Sequence, residues 1–346
     1  MKNKKAKQII RVLLFVGTVI SLFYVPWILV KAWMLPLPDT VQEQLEEATE
    51  LGFDGIIVYV DAGGKEPSFY AAGYKNRENR IPADPRSLFK IASVSKLYIA
   101  VAISKLVRDG RLALDKTLSD YLPELGGRIE NMDRITLSMI VQHRSGIPNF
   151  TDTHNYWVAP KGSDEERLQL VLDLPANFEP GEDYEYSNTN YLLLARIMDK
   201  ILGYNHFRFI QEEILQPLNL KHTFGSIHDV DMDDVMSGYY VGYDSDLKTV
   251  DNGSMLATAE DLGKFIRALN DGSAFKDKRE QEIYASIYRF EHTGLIPGYQ
   301  TIAKYHKNID TVVIQFTNTV DFEGYNWNLS EIEYNRILKI IRRNRK

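Results

Sequence analysis

Hydrophobic residues recur along the chain with two different periods, which predict helices and strands. Apolar residues on one helical face, with capping residues before and stop signals after, predict helices at residues 40–51, 93–108, 190–202, 258–269 and 329–343. Short runs of β-branched and aromatic residues predict strands at 55–61, 68–74, 288–292, 301–306 and 311–317. We therefore predict an α/β fold with a sheet part, residues 35–85 and 250–346, and a helical part, residues 86–249.

The predicted helix at residues 93–108 has almost no polar face. Residues 97–103 are apolar nearly all round, and such a helix is buried rather than amphipathic. Asp109 and Gly110 then end it. Ser93 therefore opens a long helix that we expect to lie inside the protein.

The N-terminal region has an uncharged run of 19 residues, 12–30, which follows five cations. A helix of this length is just long enough to cross a hydrocarbon core of about 30 Å. Cations before the run favour an N-terminus inside the cell. We predict a single-pass membrane anchor in residues 1–34, with residues 12–30 in contact with the lipid bilayer. The body, residues 35–346, is then expected outside the cytoplasm, in a periplasm or at the cell surface. A cleaved signal peptide and a buried core helix are the alternatives.

Composition excludes several classes of function. The 346 residues include no Cys, so there is no disulfide framework and no thiolate metal site or nucleophile. The seven His are scattered without a metal-binding spacing, and we predict no metal. Residues 35–346 carry 35 basic against 47 acidic residues, a net charge of −12. An acidic body argues against nucleic acid as a partner.

The Ser-x-x-Lys pattern occurs four times, and its context separates the copies. The pairs begin at Ser87, Ser93, Ser245 and Ser273. Only Ser93 and Lys96 open a long buried helix, where residues three apart share a face. Burial and the positive helix N-terminus would favour a neutral Lys96 amine, which can take the proton of the Ser93 hydroxyl. A capping serine beside a solvated lysine is the alternative interpretation.

Two later motifs support Ser93 as a nucleophile. Tyr186 and Asn188 flank Ser187, and in an extended segment both would project to the same side. His292-Thr293-Gly294 is the single His/Lys-Thr/Ser-Gly match in the chain. On a strand, His292 and Gly294 share a face, and glycine would leave room for a substrate backbone at the strand edge. An exposed histidine at a strand end is the alternative for His292.

In this order the three motifs resemble those of the serine β-lactamase and penicillin-binding-protein superfamily. The similarity is closest to the branch with class C β-lactamases, D,D-carboxypeptidases and related esterases. Further similar segments lie at residues 89–96, 137–148, 178–181, 186–191, 214–218, 259–262 and 292–299. The resemblance implies an antiparallel sheet flanked by helices, a helical lobe, and a site between them.

The resemblance also implies covalent catalysis without a metal or organic cofactor. It assigns attack on a carbonyl to Ser93 and proton transfer to Lys96 and Tyr186. Asn188, His292, Thr293 and Gly294 would bind the substrate, and the amides of Ser93 and Leu295 would form the oxyanion hole. The expected function is a D,D-peptidase-like hydrolase of a peptide or of a small amide or ester.

The alternatives are a small-ester hydrolase, a β-lactamase, and a penicillin-binding sensor that does not turn over. Typical class C β-lactamases have lysine where this chain has His292, and many relatives have a small residue where it has Leu295. Both differences count against an efficient β-lactamase.

Overall fold

The computed structural model describes residues 2–157 and 162–345. Met1 of the predicted anchor lies outside the described residues, as do residues 158–161 and Lys346 of the predicted body. The strands are β1 (Gly55–Ala62), β2 (Ser68–Asn76), β3 (Ile81–Pro82), β4 (Phe89–Lys90), β5 (Thr223–Phe224), β6 (Tyr239–Tyr240), β7 (Leu256–Ala257), β8 (His292–Ile296), β9 (Tyr299–His306), β10 (Thr311–Thr317) and β11 (Thr319–Val320). Six of them form an antiparallel sheet in the order β3-β2-β1-β10-β9-β8. Two small sheets pair β11 with β6, and β4 and β5 with β7.

Twelve α-helices are described, together with a short π-helical turn at Gln211–Leu215. They are α1 (Lys2–Leu22), α2 (Trp27–Met34), α3 (Val41–Glu50), α4 (Ser95–Arg108), α5 (Leu118–Tyr121), α6 (Leu137–Val141), α7 (Asp164–Gln169), α8 (Asn188–Leu202), α9 (His206–Ile210), α10 (Ala259–Asp271), α11 (Lys278–Ile287) and α12 (Asn326–Arg343). The helices α5 to α9 form the helical part beside the sheet.

The alternation of side chains in β1 divides the core into two layers. Ile56 and Val58 pack under α3 and α12, whereas Ile57 and Tyr59 pack on the side of α4 and α10. The helix α10 comes close to the sheet at Gly263, where a Cβ atom would lie 2.2 Å from the Tyr59 ring. Helices therefore cover both faces of a sheet built from the two ends of the chain, as the sequence predicted.

Several predicted boundaries are confirmed by their caps. Thr40 and Glu43 form a capping box at the start of α3, and Thr258 caps α10. The helix α4 is buried along Lys96–Leu106, as its composition predicted, although it begins at Ser95 rather than at Ser93.

The predicted strand at residues 288–292 is wrong in position. Residues 278–287 form the helix α11, which the sequence analysis missed, and β8 begins only at His292. Tyr288 and Phe290 in the intervening segment are partly buried against the core. Their apolar character therefore reflects packing and not strand pairing.

The apolar run at residues 12–30 is divided between two helices, where the sequence predicted one. The helix α1 ends at Leu22, α2 begins at Trp27, and their axes differ by 76°. Pro26 lies at this break, where its ring and missing N–H disfavour a continuous helix. Among the described residues no single helix has the length and apolarity of a membrane span, although the bent pair has both when taken together.

The helix α2 packs on the last helix of the body. Ala32 of α2 is fully buried, and α2 contacts α12. The guanidinium of Arg336 in α12 donates to the carbonyl oxygens of Leu35 and Pro36, each at 2.8 Å. In contrast, side chains of α1 such as Leu13 and Phe15 are 65% and 70% exposed.

Candidate active site

Ser93 lies in a tight 3₁₀ turn, Ala92–Val94, directly before α4. Ala92 has a left-handed φ of 50°, which is uncommon for a residue with a Cβ atom, and its amide donates to Ser254 Oγ at 2.8 Å. Lys96, in the first turn of α4, is only 8% exposed and donates from Nζ to Ser93 Oγ at 3.3 Å. The one-turn spacing thus brings the two side chains into contact.

Tyr186 and Asn188 reach the same serine and lysine from the helical part. The Tyr186 hydroxyl donates to Ser93 Oγ at 2.8 Å, and Lys96 Nζ donates to Asn188 Oδ1 at 2.9 Å. The Lys96 ammonium also lies 5.1 Å from the centre of the Tyr186 ring, a distance at which a cation is attracted to the ring face. Ser187 is extended, with φ −130° and ψ 121°, so its two neighbours can turn toward one site.

A loop of residues 143–150, which we call the supporting loop, holds the Tyr186 segment. The amides of Glu185 and Ser187 donate to the backbone oxygen and to Nδ1 of His143, at 3.0 and 3.1 Å. The Asn188 amide donates to Asn149 Oδ1 at 2.9 Å. Burial, followed by nearby positive charge of which Lys96 contributes most, lowers the pKa of His143 to about 3.

His292 is buried at the start of β8, with both ring nitrogens bonded inside the protein. Nδ1 lies 2.5 Å from the Thr293 carbonyl oxygen and Nε2 lies 2.9 Å from the Tyr288 hydroxyl. Because a carbonyl only accepts, Nδ1 carries the proton and Nε2 accepts from Tyr288. Burial lowers the pKa of His292 to about 3, so the ring is neutral. The alternative of an exposed histidine at a strand end is wrong, since the ring is held among the aromatic residues before β8.

Gly294 is required for a reason other than the expected room for substrate. A Cβ atom at this position would lie 2.4 Å from the Ile91 oxygen and 3.2 Å from the Ser93 nitrogen. The nucleophile turn itself therefore occupies this space. The glycine allows β8 to lie directly against the turn that carries Ser93.

The edge position of β8 directs alternate amides toward the site. Ile296 and Tyr299 flank a two-residue connection and form the first pair of the β8–β9 ladder. In such a hairpin this pair is hydrogen-bonded, so the amide of Leu295 points to the open edge. Thr293 has the same orientation along the strand. Because a Cβ atom on Gly294 would lie 3.2 Å from the Ser93 nitrogen, β8 runs close beside the turn that carries the Ser93 amide.

Two of the other Ser-x-x-Lys pairs do not form such a site. Lys90 Nζ donates to the backbone oxygens of Leu247 and Val250, and Lys248 Nζ donates to that of Met232. These lysines therefore bind carbonyls instead of their serines. Across residues 2–157 and 162–345, no three His, Asp or Glu side chains are grouped as metal ligands would be.

Sequence reasoning missed three contributors to this site: His143, Asn149 and Tyr288. His143 belongs to the segment 137–148, whose similarity to the superfamily was the available signal, although it gave the ring no role. Asn149 gave no signal, because its contact with Asn188 joins residues that are close only in the folded chain. Tyr288 lies four residues before His292, but its assignment to a predicted strand gave its hydroxyl no role. The predicted residues Ser93, Lys96, Tyr186 and Asn188 are brought into direct contact, and β8 places His292, Thr293, Gly294 and Leu295 beside them.

Curated relatives match part of this chain. It is 26% identical over 219 residues to protein flp of Staphylococcus aureus (strain MW2), covering 60% of this chain and 44% of that protein. It is 29% identical over 198 residues to an N-acetylmuramyl-L-alanine amidase of Bacillus subtilis (strain 168), covering 53% of this chain and 45% of that protein. The chain thus spans less than half the length of these relatives.

A solved structure shows the same fold, and a family model gives the family. The D-amino acid amidase of Ochrobactrum anthropi SV3, complexed with L-phenylalanine amide, aligns with a TM-score of 0.76 and 23% identity over 88% of this chain and 98% of that one. The family model described as Beta-lactamase matches residues 38–289, which is most of the chain. The chain therefore belongs to the β-lactamase family, within the serine β-lactamase and penicillin-binding-protein superfamily that its motifs predicted.

Proposed function

We propose that the protein is a serine hydrolase that forms an acyl-enzyme on Ser93 with an amide or ester substrate. One observation carries this proposal: Tyr186 and Lys96 both contact Ser93 Oγ, at 2.8 and 3.3 Å, in a mostly buried site. A serine hydroxyl becomes a nucleophile when an adjacent base takes its proton. Two such groups touch this one serine.

The proposed reaction has two steps that share one proton path. Ser93 Oγ bonds to the substrate carbonyl carbon while the unprotonated member of the Lys96 and Tyr186 pair takes the hydroxyl proton. The pair passes this proton to the leaving amine or alcohol as the bond between that group and the carbonyl carbon breaks. The amides of Ser93 and Leu295 stabilise the negative oxygen that develops. Water then attacks the acyl-enzyme by the same path, which restores the serine and releases the acid.

We propose amides of cell-wall-type peptides, in particular those ending in D-Ala-D-Ala, as the first substrate class. Two similar proteins, an N-acetylmuramyl-L-alanine amidase and a D-amino acid amidase, support amide chemistry. The neutral, fully bonded His292 stands where typical class C β-lactamases have lysine, and this difference counts against an efficient β-lactamase. A small-ester hydrolase and a sensor that is acylated without turnover are the alternatives that the experiment separates.

We further propose that residues 1–34 anchor the body to a membrane, with the body outside the cytoplasm. The exposed apolar side chains of α1 and the cations that precede residue 12 support this placement. A reporter enzyme fused after the last residue should be active only if it is a type that works outside the cytoplasm. Activity of a cytoplasmic reporter at that position would contradict the orientation.

The hydrolase proposal is tested by covalent labelling of the full-length protein in detergent. We expect a fluorophosphonate to modify Ser93 alone, as read by mass spectrometry of peptides, and Ser93→Ala to abolish the label. Ser87→Ala, from another Ser-x-x-Lys pair, is the matched control and should label normally. Labelling at another serine would contradict the assignment. Parallel incubations with a penicillin, a small ester and a D-Ala-D-Ala peptide then show which acyl group is released.

A further inference from the structure

His143 holds the backbone on both sides of Tyr186. It is 1% exposed and has a left-handed φ of 57°, which turns the supporting loop beneath the Tyr186 segment. Its backbone oxygen accepts from the Glu185 amide at 3.0 Å and its Nδ1 accepts from the Ser187 amide at 3.1 Å. The backbone amides of both residues next to Tyr186 in the chain therefore donate to a single residue.

The His143 ring also supports the Tyr186 ring directly. The two rings are stacked, with centroids 4.4 Å apart and planes 28° from parallel. The Tyr191 ring also lies 5.2 Å from the His143 ring. The tyrosine hydroxyl lies on the axis of the second side-chain bond, so its position is set by the backbone and by the first side-chain torsion, which has a few staggered minima. Packing of His143 against the ring face limits tilting of the Tyr186 ring within its minimum and so holds the hydroxyl in place. In this protein that hydroxyl lies 2.8 Å from Ser93 Oγ.

These contacts require a neutral His143. Because the Ser187 amide is a donor, Nδ1 must be unprotonated, and the single ring proton is on Nε2. Nε2 is buried and has no hydrogen-bond partner among the described residues. Burial therefore opposes a charged ring, and an imidazolium would lose the bond to Ser187. The ring is a fixed, uncharged support beside the Lys96 ammonium.

We propose that His143 is a positioning residue for proton transfer, which acts by holding the Tyr186 hydroxyl at Ser93. This inference rests on the proposed hydrolase function. Displacing a reacting group by about 1 Å can lower a rate by about 10²-fold. His143 contacts the proton-transfer residue and not Ser93, so its loss should lower kcat with little change in KM.

Two substitutions separate the two contacts. His143→Asn keeps an acceptor for the Ser187 amide, tolerates a left-handed backbone and removes the ring. His143→Phe keeps the ring face and removes the acceptor. We expect each to reduce kcat by roughly 10- to 100-fold, with KM within about twofold. Rates are normalised to the fraction of enzyme that the fluorophosphonate titrates, so that poorly folded material does not count. His306→Asn is the matched control, because that ring also bonds to a tyrosine, Tyr334 at 2.8 Å, outside the site.

A double-mutant cycle decides between positioning and simple structural support. With Tyr186→Phe as the background, the His143 substitutions should cost less than about threefold, since the hydroxyl they position is gone. An equal loss in both backgrounds, or an unchanged kcat in both His143 variants, would overturn the inference. If Tyr186→Phe itself leaves the rate unchanged, the proton path of the proposed function is wrong. The two failures are therefore distinguishable.

Discussion

Two buried cations on opposite sides of the central sheet have different kinds of partners. Lys96, on the α4 side, donates to the side-chain oxygens of Ser93 and Asn188. Arg336, on the α12 side, donates to the backbone oxygens of Leu35 and Pro36. Ser93 and Asn188 remain partly exposed, whereas Arg336 is 5% exposed.

The difference between these partners separates a reactive site from a structural one. A partly exposed hydroxyl can exchange its bond to Lys96 for a bond to substrate. Arg336 has less freedom, because Gln44 Oε1 and Glu47 Oε2 also accept from its guanidinium, at 2.8 and 3.1 Å. Its guanidinium therefore fixes the relative positions of α3, α12 and the segment after α2. In the proposed function Lys96 serves the chemistry of Ser93, whereas the contacts of Arg336 serve stability.

Removing the Lys96 amine should give the largest effect, and that effect should be on the rate of turnover. We expect Lys96→Ala to lower turnover by about 10²-fold or more, the usual scale for losing a general base or its partner. Steady-state hydrolysis of the substrate identified by labelling is the measurement. Lys105→Met is the control from the same helix, since Lys105 is buried against Glu280 at 2.8 Å, away from Ser93. Lys105→Met should lower the stability of the protein and leave the turnover of the folded enzyme unchanged. An equal loss of turnover in Lys105→Met and Lys96→Ala would contradict a specific role of Lys96 at Ser93.

Removing the Arg336 guanidinium should instead lower the stability of the protein and leave its turnover unchanged. Arg336→Met leaves Glu333 fully buried without its nearby positive charge, and breaking a buried charged network costs about 3 kcal/mol. We expect the free energy of unfolding in urea to fall by that order while kcat per titrated site stays the same. Arg342→Met, on an exposed position of α12, is the control and should change stability by less than about 0.5 kcal/mol. A lost kcat in Arg336→Met would show that the two sides of the sheet are coupled.

A smaller effect should appear in the pH dependence of stability. Burial raises the pKa of Glu333 from 4.5 to about 7. Between pH 4.5 and about 7 the folded protein keeps a proton on Glu333 that the unfolded chain has lost. The contribution of Glu333 to the free energy of unfolding is therefore fully present below pH 4.5 and decreases as the pH rises toward 7. We expect Glu333→Gln to remove a decrease on the order of 2 kcal/mol over this interval, measured by urea unfolding at several pH values. If wild type and variant show the same slope, the raised pKa is wrong.

The sequence predicted the parts of this molecule that depend on neighbouring residues. The cap of α3 at Thr40, the buried character of α4 and the contact between Ser93 and Lys96 all follow from spacings of a few residues. Motif resemblance added Tyr186 and Asn188, which lie about ninety positions further along the chain. Short spacings and the resemblance to a known fold both constrain geometry, and the structure places these residues in contact.

The features that could not be predicted depend on distant packing. The bonds of Arg336 join residues some 300 positions apart, and no periodicity signals them. Tyr288 and Phe290 favoured the prediction of a strand at 288–292, because burial against a core and pairing in a sheet favour the same side chains. The contact between the rings of His143 and Tyr186, which lie 43 residues apart in the chain, forms only because the fold places the supporting loop beneath the Tyr186 segment.

The docking of α2 on α12 has a consequence for where the protein can act. A catalytic body on a flexible tether searches a volume that grows with tether length. Here the carbonyls of Leu35 and Pro36 are bonded to Arg336, so the few residues between α2 and α3 provide no free tether. With α1 in a bilayer, as proposed, the height of Ser93 above the lipid is set by the body itself. Reach then becomes a form of selectivity: bonds held at that height would be cleaved, and the same bonds further from the surface would be left intact.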